Sequence, residues 1–199
     1  GIPFKLSRPL DWIVIADHSD GMGAMKEIIR GNPNLLKDPT VRGWNERINA
    51  GGDEAFKATM DVIVAFTEGR TPEVVLDQTF QQTVWDDYLD TVESYNDSGT
   101  FTAFIGYEWT SNTGGNNLHR VVIFRDGADQ ARMVEPYTTI APLGSDNPRE
   151  LWKWMQRYED KTGGRVLAIA HNGNLSNGIM FPVVESFTGK PVDLEYVKT

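Results

Sequence analysis

Apolar positions along this chain change period repeatedly, and the changes predict alternating strands and helices. Trp12-Ile13-Val14-Ile15-Ala16 is an unbroken apolar run, which predicts a strand buried on both faces, as in a parallel sheet. Gly21-Met22-Gly23 turns the chain into a short helix over 24–30, and Gly31-Asn32-Pro33-Asn34 breaks it. Residues 35–51 are polar and carry Pro39, Gly43 and Gly51, predicting short helical pieces on an insertion. From 53 to 66, Phe56, Met60, Ile63 and Val64 recur at helical spacing. Over 79–96, Phe80, Val84, Tyr88 and Val92 are spaced by four and define one apolar helix face, ended by Ser98-Gly99.

The second half continues the alternation. Residues 101–107 and 121–124 read as consecutive strands joined by the loop Asn112-Thr113-Gly114-Gly115-Asn116-Asn117. So short a link favours an antiparallel pair or a departure from regular βα alternation. The stretch 126–145 reads as loop, with Pro136 and Pro142. Asn147-Pro148-Arg149-Glu150 is a helix start, with Asn at the cap, Pro at the first position and Glu three after the cap. That helix is expected to bury Leu151, Trp152, Met155 and Tyr158 before Gly163-Gly164 stops it. Residues 165–170 form another strand and deliver His171. The fold class is α/β. No repeat, low-complexity tract or linker divides the chain, so 1–199 reads as a single domain.

Composition narrows the function classes. At 199 residues and 40% hydrophobic the chain is long and apolar enough for a sizeable core. A net charge of -9 without a basic stripe argues against nucleic acid as partner, but leaves an anionic small substrate open. There is no cysteine, which excludes disulfides and thiolate ligands; cytosol and periplasm both fit. No apolar run approaches the roughly 18 residues of a membrane span. The opening Gly1-Ile2-Pro3-Phe4-Lys5-Leu6 has no signal pattern and no initiator methionine, which suggests a piece of a longer chain.

Candidate chemistry lies at the strand ends. The three histidines stand in Asp17-His18-Ser19-Asp20, Leu118-His119-Arg120 and Ala170-His171-Asn172, and Glu108 ends a further apolar stretch between Tyr107 and Trp109. α/β sheets open their ligand crevice at the carboxyl ends of strands, and imidazoles with carboxylates there suit a hydrolytic metal centre. His18 reads as a ligand. Asp17 is a second ligand, a helix cap, or (the reading ranked first) the partner that fixes the imidazole tautomer. A buried Glu108 needs a metal or an arginine such as Arg120 or Arg125; the metal is preferred. Arg120 either holds an anionic oxygen pair or makes an ordinary ion pair. Asn172 and Asn174 are expected to satisfy loop backbone. No serine lies in Gly-x-Ser-x-Gly, and Gly-x-Gly-x-x-Gly, P-loop and His-Glu-x-x-His are absent. The donor set suits zinc, manganese and iron alike.

Four blocks carry a resemblance. Arg8-Pro9-Leu10-Asp11 with Ile15-Ala16-Asp17-His18, then Tyr107-Glu108-Trp109-Thr110-Ser111, Asn117-Leu118-His119-Arg120, and His171-Asn172-Gly173-Asn174-Leu175-Ser176-Asn177-Gly178 resemble an uncharacterised metal-hydrolase-like family. That domain-of-unknown-function family is related to PHP (polymerase and histidinol phosphatase) domains. The likeness spans nearly the whole chain. It implies a distorted β/α barrel with two or three divalent metals at the strand ends. On that likeness His18, His119 and His171 are imidazole ligands, Glu108 is the metal-bridging carboxylate, and Asp17 matches the acidic residue before the histidine. The His-x-His start and Asp-x-His end of PHP-type domains do not occur here. The expectation is therefore an incomplete barrel fragment that binds metal weakly or not at all, within an enzymatic parent. Its open barrel edge would allow self-association.

These readings converge on a metal-dependent hydrolase core, a phosphoesterase in first place, with Glu108 and Arg120 at the reacting group and a small anionic or ester substrate. The alternative is a non-catalytic binding or structural domain on the same barrel. It would keep the histidines as loop anchors and use Tyr107, Trp109 and Asn116 to hold a ligand. Neither nucleic acid nor membrane is expected as a partner.

Overall fold

The computed structural model describes residues 5–193; the reading of Gly1–Phe4 above lies outside them. The first apolar run forms β1 (Trp12–Val14), which pairs in parallel with β2 (Thr102–Phe104), Trp12 opposite Thr102 and Val14 opposite Phe104. One residue, Ile105, separates β2 from β3 (Gly106–Trp109), so 102–109 is one extended central segment. On its other side β3 pairs antiparallel with β4 (Arg120–Phe124), and β4 antiparallel with β5 (Val166–Ala170). The Phe124 amide donates to the Ile105 carbonyl at 2.9 Å, which continues that ladder past the break. The antiparallel link between the middle strands is thus as the short loop implied. The architecture is mixed α/β, and among the described residues the sheet does not close into a barrel.

Helices cover one face of the sheet and build a second cluster beside it. The predicted short helix is α1 (Ala24–Arg30), closed by Gly31 at φ 75°, a left-handed conformation that suits glycine. The region read as short helical pieces instead forms a full helix, α2 (Pro39–Ala50). The Asp38 side chain accepts from the Thr40 and Val41 amides, Pro39 takes the first turn, and Val41 and Trp44 are buried. A good cap and two inward residues outweigh the polar remainder.

The next helix, α3 (Gly52–Thr67), turns the expected way round in length but not in orientation. Its buried residues are Ala58, Val62 and Ala65, whereas Phe56 is 70% exposed and Met60, Ile63 and Val64 are also exposed. Small side chains let α2 and α3 pack closely, so the larger apolar stripe faces away. A short α4 (Glu73–Leu76) leads to α5 (Gln78–Tyr95), capped by the Asp77 side chain on the Phe80 amide. Its buried residues are Trp85, Leu89 and Val92, a face rotated from the spacing-by-four set. After α6 (Ala128–Ala131) comes α7 (Pro148–Thr162), where the Asn147 side chain accepts from the Arg149 amide and Gly163 at φ 70° ends the helix. It buries Leu151, Trp154 and Tyr158; Trp154, not Trp152, is the inward indole.

Alternation along the strands separates two faces. Tyr107, Trp109, Val122 and Phe124 face α5 and α7 and are fully buried. Phe124 meets Tyr158 edge-to-face at 5.0 Å and Tyr107 meets Trp154 at 5.7 Å, favourable aromatic geometry. Gly106, Glu108, Val121, Ile123, Leu167 and Ile169 share the other face, where Leu167 and Ile169 are 59% and 46% exposed. A second cluster joins α1, α2 and α3 through Ile28, Val41, Trp44 and Val62. Among the described residues no helix is long and apolar enough to cross a membrane.

Two consequences for stability follow. A Cβ at Gly106 would lie 2.6 Å from Val14 Cγ2 and 2.8 Å from the Val122 carbonyl oxygen, so Gly106→Ala should destabilise the fold by roughly 1–3 kcal/mol, read as a lower Tm. Asp126 accepts from the Arg165 amide at 2.5 Å and the Tyr158 hydroxyl at 3.2 Å, tying β4 to α7 and β5. Burial pushes its carboxyl up, but these hydrogen bonds and Arg125 outweigh it and hold the group below its ordinary 3.8. A carboxyl depressed by folding stabilises above its unfolded pKa and loses that contribution as pH falls through the folded value. Asp126→Asn should therefore cost roughly 1 kcal/mol near neutral pH. It should also flatten the loss of stability below about pH 4, measured by denaturant titration at several pH values.

Candidate metal centre

Glu108 is placed by its neighbours. Tyr107 and Trp109 are anchored in the aromatic core, so the residue between them must project from the opposite face of the sheet. Its amide donates to the Asp17 carbonyl at 2.8 Å, and its carbonyl accepts from the Ser19 amide at 2.8 Å. This backbone pairing sets His18 beside Glu108. His119 stands just before β4, its amide donating to Asn117 Oδ1 at 3.1 Å. His171 stands just after β5, its amide donating to the His119 carbonyl at 3.3 Å. Two antiparallel strand ends thus bring these imidazoles together on the Glu108 face.

The three rings converge on one carboxylate. His119 Nδ1 and His171 Nε2 lie 2.9 and 2.6 Å from Glu108 Oε1, and His18 Nε2 lies 3.0 Å from Oε2. Neighbouring ring centroids are 5.7 Å apart for His18 and His119 and 5.9 Å for His119 and His171. Access is graded: the Glu108 and His119 side chains are 10% and 12% exposed, His171 32% and His18 62%. Burial pushes the Glu108 carboxyl up. The His119 hydrogen bond and the charges of His18, His119 and His171 outweigh it and hold the group below its ordinary value. His171 Nδ1 is buried without a partner among the described residues, an unusual state for a polar atom.

These donors fit a divalent ion. One atom each from Glu108, His119 and His171 lie within 4.8 Å of one another, close to the span that two metal–ligand bonds of about 2.0–2.2 Å can bridge. Nitrogen and carboxylate oxygen without sulfur match the borderline-hard donor set of zinc, manganese or iron. Glu108 also offers one oxygen to two imidazoles and the other to the third. A carboxylate so divided can bind on two sides at once.

The remaining sequence candidates are placed elsewhere. Asp17 contributes its backbone carbonyl to the Glu108 amide, and its residue is exposed. Arg120 lies on the core face of β4 opposite Trp109. Its guanidinium carbon sits 5.8 Å from the Trp109 ring centroid, and Nη1 donates to the Leu118 carbonyl at 2.8 Å. It braces the backbone leading into His119 and does not face the carboxylate cluster. Arg125, the other conceivable partner of Glu108, bonds Asp126. Ser111 and Ser176 donate to the carbonyls of Asp146 and Gly173, so both hydroxyls serve local turns. Asn172 adopts φ 56° and its backbone carbonyl accepts from the Leu175 amide.

Several supporting residues escaped the sequence reading. Asp20 accepts from the Thr138 and Thr139 hydroxyls and from the Thr139 amide, clamping a distant loop onto the turn after His18. Asn177 Nδ2 donates to Asn116 Oδ1 at 2.5 Å, linking the loops that carry His119 and His171. Tyr88, read as one member of a helix stripe, sends its hydroxyl to the Ile15 carbonyl at 2.8 Å and accepts from the Gly106 amide at 3.1 Å. Separations of 61 to 119 residues for the first two links leave no local signal. Only the adjacency of Gly106 to Tyr107-Glu108 hinted at a close approach there.

No match was found among curated proteins, and none among solved structures. A family described as "Protein of unknown function (DUF3604)" matches residues 1–199, the full span that carries both the sheet and the Glu108–imidazole cluster, and the chain belongs to this family.

Proposed function

We propose that this chain carries the metal centre of a metal-dependent hydrolase acting on phosphoesters. The observation that supports this most directly is the convergence of three imidazoles, from three separate strand ends, on one shielded carboxylate. A purely structural role for Glu108 needs only one partner, and an arginine would serve it better. The likeness to PHP-related domains, and with it a barrel completed around this sheet, belongs to the same proposal and rests on the four sequence blocks.

In this reading Glu108, His119 and His171 would hold one ion, and His18 with the second Glu108 oxygen would help to hold another. A bound divalent ion would make water acidic enough to ionise near neutral pH and would polarise the scissile bond. The protein's part is to fix the donors before substrate arrives. Arg120 does this by bracing the Leu118–His119 backbone, and Asn117 by holding the His119 amide. With Arg120 turned into the core, bound ions rather than a guanidinium would meet the charge of an anionic substrate. His18, the most exposed of the three rings, stands on the side open to substrate.

Elemental analysis of the chain after exposure to zinc and to manganese tests the assignment. Wild type should retain metal, in place of the weak or absent binding expected from the missing His-x-His and Asp-x-His blocks, because three imidazoles already converge on Glu108. Glu108→Ala and His171→Ala should each weaken binding by at least about 10–100-fold, while His18→Ala should retain the first ion and lose only the second. Phosphomonoester and phosphodiester turnover in the manganese-loaded protein should fall with Glu108→Ala. Wild-type protein that takes up neither metal would sink the proposal.

A further inference from the structure

The parallel ladder begun by β1 and β2 is irregular where it continues past them, just before His18. The Thr102 amide donates to the Asp11 carbonyl at 3.0 Å, and the Glu108 amide to the Asp17 carbonyl at 2.8 Å. Between them the parallel register runs Ile13 opposite Ala103 and Val14 opposite Phe104. A regular parallel ladder advances by two residues on each strand, so the Gly106 amide should donate to the Ile15 carbonyl. It does not. Gly106 N–H donates to the Tyr88 hydroxyl at 3.1 Å, and that hydroxyl donates to the Ile15 carbonyl at 2.8 Å. One phenol oxygen is inserted into the rung.

We propose that the Tyr88 hydroxyl is a positioning group for His18: as a one-oxygen spacer between Ile15 and Gly106, it sets how the strand end carrying His18 approaches Glu108. The spacer is held from behind. Tyr88 stacks on Trp85 at 5.2 Å, and Trp85, Leu89 and Val92 bury α5 in the main core. On the opposite face Val14 Cγ2 occupies the space a Cβ of Gly106 would fill. The strand is therefore pushed apart at Ile15 and returns at Asp17–Ser19, where its pairing with Glu108 resumes. His119 and His171 hang from β4 and β5, whose pairing with the Gly106–Trp109 strand and with each other does not pass through the Tyr88 hydroxyl. The hydroxyl donates its one proton and accepts from Gly106, and burial raises its pKa to about 12, which keeps it protonated. The role deepens the two-sided metal reading above and rests on it for its functional meaning.

Tyr88→Phe keeps the ring and its stacking and removes only the spacer. In metal-free protein, the ring ¹⁵N–¹H signals of His18 should shift while those of His119 and His171 stay. In cobalt(II) titrations, the second ion should bind about tenfold more weakly with the first unchanged, as a milder form of His18→Ala. Unmoved His18 signals, or equal weakening of both ions, would overturn the proposal even if Tm falls. Wild type that binds no cobalt would remove the metal reading, and the His18 signals would still decide the positioning role. If Tyr88→Phe does not fold, wild-type spectra decide: a nuclear Overhauser contact between the Tyr88 hydroxyl proton and the Gly106 amide supports the inserted rung. A direct hydrogen-bond coupling from the Gly106 amide to the Ile15 carbonyl refutes it.

Discussion

A carboxylate held away from water must be met by positive charge or by hydrogen-bond donors, and at Glu108 three imidazoles meet it. Much of the surrounding architecture follows from that constraint. The aromatic pair Tyr107 and Trp109 faces the helices and turns Glu108 to the other side of the sheet. The strand end at Asp17–Ser19 pairs with its backbone, and the ends of β4 and β5 bring the other two rings. β1, β3, β4 and β5 each lead to one residue of the cluster, so it exists only when these strands are assembled.

The sheet has two chemically different faces for the same reason. One is closed by α5 and α7 through edge-to-face aromatic packing, with the Tyr158 hydroxyl on Asp126 as a polar tie. The other carries the cluster together with exposed Leu167 and Ile169. Long-range polar ties then set the details: Asp20 to Thr138 and Thr139, Asn177 to Asn116, and Tyr88 between two strands. None of these ties is needed to form a strand or a helix, and all of them bear on where His18, His119 and His171 end up.

In the helices, local signals set the ends and tertiary contacts set the faces. The cap-and-stop signals of α7, Asn147 with Pro148 and Gly163, act within one turn and were readable directly. Which indole turns inward, Trp154 rather than Trp152, depends on contact with Tyr107 and Phe124, residues of the sheet. In α3 the larger apolar residues suggested one face, and close packing selected the smaller Ala58 and Ala65. In the 35–51 region a strong Asp38 cap and two buried anchors made a full helix from a polar sequence.

The sequence by itself determined the α/β class, most strand and helix positions, and picked out four residues whose side chains the structure brings together: His18, Glu108, His119 and His171. They were legible because each is adjacent to an apolar strand run, and hydrophobic periodicity is a local property. Tertiary structure alone decided that Arg120 turns to the core and that Asp17 meets the cluster through its backbone. It also decided that a tyrosine on a helix enters a strand ladder. Those outcomes depend on strand parity, register and the approach of elements far apart in the chain, and a side chain's direction cannot be read before the register that sets it is known.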